Sequence, residues 1–210
     1  MNPLPEDASP EDPHWEGAFL DLAQGFVMAG AKAKIITRFT GLPMRKVRRM
    51  YSALRGSHPP PGPVMQGSAR FFAAPSKRTS AAWSIQCAIF FACYERLGEL
   101  TERPVQRGWR LLGAFTVYLS LTEMLYRTAS VERLDINQAY ALLTHCGFMS
   151  RTGSVELRRK ECPNCLISYL VVATEPVDKH GCPVCAMNAN ILRLSHQGAR
   201  VGRRNPTSRV

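Results

Sequence analysis

Four of the seven cysteines fall in two Cys-x-x-Cys pairs, Cys162 with Cys165 and Cys182 with Cys185, and sixteen residues separate the pairs. No other feature restricts the fold as strongly. A Cys-x-x-Cys turn presents two sulfurs to one metal ion, and zinc takes four thiolates in a tetrahedron. A linker of this length suits a short hairpin folded back onto the ion. Pro163 and Pro183 follow the first cysteine of each pair, which favours a tight turn at both corners. The spacing therefore predicts one structural Zn2+ held by Cys162, Cys165, Cys182 and Cys185.

Four thiolates fill the tetrahedron and leave no position for a catalytic water. A zinc deaminase needs His-x-Glu ahead of Pro-Cys-x-x-Cys, and a thioredoxin-type site would leave the second pair unexplained. No Ser-His-Asp set, paired carboxylate or phosphate-binding loop stands out either, so a protein that is not an enzyme is expected. Cys87, Cys93 and Cys146 lie in apolar helical contexts and read as buried, inert thiols.

The first Lys or Arg is Lys32, and the opening "MNPLPEDASPEDPHWEG" is acidic and Pro-rich. That is neither a secretory signal nor an Arg-rich presequence. The most apolar stretch, Leu111 to Leu121, is far shorter than the ~20 residues a membrane span needs. A cytoplasmic, reducing compartment without a membrane partner is expected, which also favours metal over disulfide.

The coarse reading is a mainly α protein. Residues 1–16 form a flexible acidic tail, 17–150 a helical body, 151–192 the zinc ribbon and 193–210 a basic flexible tail. Helical patterning runs from Gly17 to Leu54 with one break at "TGLP", and "RGSHPPPGP" (Arg55 to Pro63) is a stiff connector. Helices follow from Thr79 to Gly98, from Pro104 to Tyr126, and from an Asp135 cap to Gly147. "LISYLVVA" (Leu166 to Ala173) is β-rich.

A net charge of +11 raises the expectation of an anionic partner. Between Ala31 and Gly56 there are eight Lys or Arg and no Asp or Glu. Apolar stripes (Ile35, Ile36, Phe39; then Leu42, Val47, Met50, Tyr51, Leu54) flank Gly41, as in a helix-turn-helix pair at about 31–55. Arg45, Lys46, Arg48 and Arg49 fall off the stripe and are candidate contacts to double-stranded DNA. Arg158, Arg159 and Lys160 before the first knuckle, and Arg193 after the second, are candidate phosphate contacts. Two arrangements remain open: the helix pair touches DNA, or it packs on a partner subunit while the zinc region does.

"RKVRRMYSALRGSHPPPGPV", the later "CAIFF", and two cysteine pairs with "EPV" before the second resemble the FlhC family of flagellar transcriptional activator subunits. The resemblance spans roughly Leu22 to Asn190. Its most specific parts are "LRGSHPPPG" (Leu54 to Gly62) and the order of the four cysteines. It implies a helical protein with a C-terminal zinc site. It also implies a hetero-oligomer with an FlhD-like subunit that binds flagellar promoters and recruits RNA polymerase. A zinc-stapled interaction scaffold without sequence-specific DNA binding is the alternative. An RNA reader is disfavoured, because the aromatic residues lie mostly within apolar helical runs instead of on exposed platforms.

Overall fold

The computed structural model describes residues 16–64, 67–73, 80–98, 103–125, 132–149, 154–175 and 181–189. The chain is mainly α. Its elements run α1 (Glu16–Met28), α2 (Ala33–Thr40), α3 (Met44–Arg55), α4 (Ala69–Phe72), α5 (Ala81–Arg96), α6 (Pro104–Leu125), α7 (Ile136–His145), β1 (Leu157–Glu161) and β2 (Ser168–Val172). Residues 183–189 are again helical. None of the described helices is long and apolar enough to cross a membrane.

The long helix α6 is the spine, with α1, α2, α5 and α7 packed around it. Helix α1 turns Phe19, Leu22, Ala23, Phe26 and Val27 inward, a repeat of three and four residues that defines one apolar stripe. The close crossing depends on Gly108. A Cβ there would lie 2.9 Å from Leu22 Cδ2 and 3.0 Å from Phe39 Cβ. Helix α5 is capped by Ser80, which accepts from the Trp83 amide, and α7 by a capping box of Asp135 and Gln138.

Between Gly17 and Leu54 the chain breaks twice, whereas the sequence pattern predicts one break. The added break, at Ala29 to Lys32, is imposed from a distance. Asn137 accepts from the Lys32 amide at 2.7 Å and donates to the Gly30 carbonyl, while Tyr51 donates to the Ala31 carbonyl. The expected break is present: Gly41 closes α2 at φ 68°, and Leu42 and Pro43 lead into α3. The apolar stripe of α3 ends at Tyr51, so Leu54 is exposed and not part of the core.

A buried hydroxyl ties three elements. Tyr118 on α6 donates to Gln86 Oε1 on α5 at 2.8 Å and accepts from the Leu134 amide at 2.9 Å. Tyr118→Phe keeps the ring but strands the Leu134 N–H, so a loss of about 1–3 kcal/mol in urea unfolding is expected, with an unchanged m-value.

Strands β1 and β2 form an antiparallel pair with Leu157 opposite Val172, Arg159 opposite Leu170 and Lys160 opposite Tyr169. Alternation gives the hairpin two working faces. Leu157 and Leu170 join the helical core, while Tyr169 and Val171 pack with the cysteines. The Leu157 end is held further by His145, whose Nδ1 meets Glu156 Oε2 at 3.1 Å while its carbonyl accepts from the Glu156 amide.

Candidate metal centre and basic face

The first cysteine pair forms the turn between β1 and β2, and the second opens the helical segment at 183–189. The two corners share one hydrogen-bond plan. The Cys162 carbonyl accepts from the Leu166 amide at 2.9 Å, and the Cys182 carbonyl accepts from the Ala186 amide at 2.9 Å. After that the corners diverge. The second continues as helix, with Pro183 suited to a first helical turn. The first reverses at Leu166, which sits in the left-handed region at φ 59° and is exposed. That conformation costs a branched side chain roughly 1–2 kcal/mol. Leu166→Gly is therefore expected to stabilise this turn by about 1 kcal/mol, seen as a higher urea midpoint.

All four sulfurs lie within 4.8 Å of one another. Cys162 Sγ is 3.8 Å from Cys185 Sγ, and Cys165 Sγ is 3.6 Å from Cys182 Sγ. A tetrahedron with metal–sulfur bonds of about 2.3 Å has edges of about 3.8 Å, whereas a disulfide needs about 2.05 Å. The spacing is that of ligands around one ion. Electrostatics agree. Backbone N–H groups of Cys165 and Asn164 aimed at Cys162 pull its thiol down to about 6, toward the thiolate a metal requires. The crowding sulfurs of Cys165 and Cys162 push Cys185 up to about 12, holding a proton where a cation would sit. The four cysteines can thus hold a metal ion.

The other three thiols are buried, and burial pushes each upward: Cys87 well above its ordinary value, Cys93 upward, and Cys146 to about 12. Sequence patterning did not single out Tyr169, Val171 or Val184 as the packing beneath the cluster. The alternation in "SYLVV" is the signal that points to the first two.

The structure sorts the basic residues. Arg55 caps α1 through the Val27 and Met28 carbonyls, and Arg38 donates to the Met149 carbonyl at 2.7 Å while lying over Tyr140. Lys46, expected to face outward, is half-buried and paired with Glu16 at 2.8 Å. Arg45, Arg48 and Arg49 are exposed, share one face of α3 by their spacing of three and four residues, and have no ion pair among the described residues. In β1, alternation places Arg159 on the body side, where it meets Glu95 of α5 at 2.9 Å. Arg158 and Lys160 lie on the cysteine side, in register with Val171 and Tyr169. Arg193 lies outside the described residues, as do positions 1–15 and the basic tail.

Comparison with known proteins decides among the classes this geometry allows. The family model described as "Flagellar transcriptional activator (FlhC)" matches residues 15–197. The chain belongs to the FlhC family. It is 24% identical over 180 residues to the flagellar transcriptional regulator FlhC of Erwinia tasmaniensis, covering 83% of this chain and 88% of that one. It is 25% identical over 181 residues to the FlhC of Enterobacter cloacae subsp. cloacae, covering 84% and 83%. FlhC proteins are transcriptional regulators, not a class of enzyme, and the match takes in both the α3 face and all four cysteines.

Proposed function

We propose that the chain is the DNA-binding subunit of a flagellar activator, working in the cytoplasm as a hetero-oligomer with an FlhD-like subunit. On this reading it binds flagellar operon promoters and recruits RNA polymerase. One observation carries the DNA assignment: Arg45, Arg48 and Arg49 form an exposed cationic face on α3, the second helix of a tight helix-turn-helix-like pair. Side chains on such a helix can reach guanine edges or phosphates in a major groove. Arg158, Lys160 and the chain following the second knuckle, Arg193 included, supply further phosphate contacts.

Zinc is the metal assigned to the four cysteines, because an all-thiolate set with tetrahedral spacing suits it and a filled shell makes it structural. Bound zinc would close the ribbon, and the ribbon's other face rests on the helical core through Leu157 and Leu170. The ribbon, the helical body and the tails are assigned the boundaries read from the sequence. The proposal is tested by in vitro transcription from a flagellar promoter with RNA polymerase and the FlhD-like subunit. Transcript that needs both subunits supports it; transcript indifferent to this chain contradicts it.

A further inference from the structure

A cleft of about 590 Å3 opens between the start of α2, the first turns of α3 and the proline segment at 58–63. Lys32, Lys34, Arg48 and His58 line it, and no carboxylate among the described residues does. Lys32 is only 4% exposed, and among the described residues its Nζ has one acceptor, the Pro63 carbonyl at 2.6 Å. A buried ammonium with one neutral partner is costly unless an anion completes it.

The backbone adds donors to the same space. Helix α2 begins at Ala33 without a side-chain cap, so the amides of Ala33 and Lys34 have no acceptor within the helix, and both residues line the cleft. Two orphan amides, a buried ammonium, a second lysine and an arginine together suit a tetrahedral oxyanion. Arg48 belongs both to this cleft and to the exposed face of α3.

We infer that the cleft is a phosphate seat and that it takes one backbone phosphate of the duplex lying along α3. The seat itself stands on the cleft; the source of its phosphate rests on the DNA reading proposed above. Such a contact would fix the register of α3 on DNA without reading sequence.

The test uses amide spectra of the full chain co-purified with the FlhD-like subunit, titrated first with inorganic phosphate and separately with promoter duplex, with chloride matching ionic strength. The Ala33 and Lys34 amides are expected to shift on both additions. Lys34→Gln, an exposed change, is expected to weaken the phosphate response at least about threefold, by loss of one charged donor. Unmoved amides in phosphate overturn the seat. A response to phosphate, with duplex bound by anisotropy but these amides unmoved, overturns the backbone assignment in favour of a free phosphate-bearing ligand. A duplex that does not bind at all defeats the DNA reading instead, and the phosphate titration still decides the seat.

Discussion

Replacing Cys162 by Ser is expected to empty the metal site and unfold the cysteine end of the ribbon, while the helical body and the strand face packed on it through Leu157 and Leu170 stay folded. Zinc content should fall from one ion per chain to none, and the corner amides of Leu166 and Ala186, which bond the Cys162 and Cys182 carbonyls, should lose exchange protection. The reason is proportion. The ribbon's own core is little more than Tyr169, Val171 and the cysteines, whereas the body buries apolar faces of α1, α2, α5, α6 and α7. Bound zinc would supply on the order of 10 kcal/mol to a segment of this kind. Loading is also expected to depend on pH. A metal must displace the proton that the neighbouring sulfurs hold on Cys185, whose thiol is pushed up to about 12. Zinc affinity should therefore fall as pH is lowered, by about a decade per pH unit for each proton released. Competition with a chromophoric chelator at two pH values measures this.

The second large effect concerns charge. The triple change Arg45→Gln, Arg48→Gln and Arg49→Gln is expected to weaken promoter binding on the order of 100-fold or more. If all three meet phosphates, the log–log salt slope should fall by about 2.7, close to 0.9 for each contact. The melting temperature should change little, because these side chains are exposed and pair with no described carboxylate. A variant that binds promoter as tightly as the parent would move the DNA surface elsewhere, and the ribbon's Arg158 and Lys160 would be the next residues to change.

Features set by local chemistry were legible in the sequence. The cysteine quartet follows from spacing alone, and the cap at Asp135 and the turn at Gly41 follow from residues within a few positions. Features set from afar were not. The break before α2 depends on Asn137, 105 residues from Lys32. Strand β1, "LRRKE", carries one apolar residue and becomes a strand only by pairing with β2. Which cations face outward depends on partners that no periodicity reveals, Glu16 for Lys46 and Glu95 for Arg159. A window-by-window reading sees a uniform basic run; the folded chain divides it into caps, ion pairs and one exposed face.

On the function proposed above, this chain brings a flagellar activator to its promoter. Fluorescence anisotropy tests it most directly, with the chain co-purified with an FlhD-like subunit and titrated onto a flagellar promoter fragment and a scrambled duplex at two salt concentrations. Tighter binding to the promoter, weakened by salt and lost in Cys162→Ser, is the expected result. Equal, weak binding to both duplexes would contradict it and leave the four-cysteine ribbon as the staple of a protein-interaction scaffold.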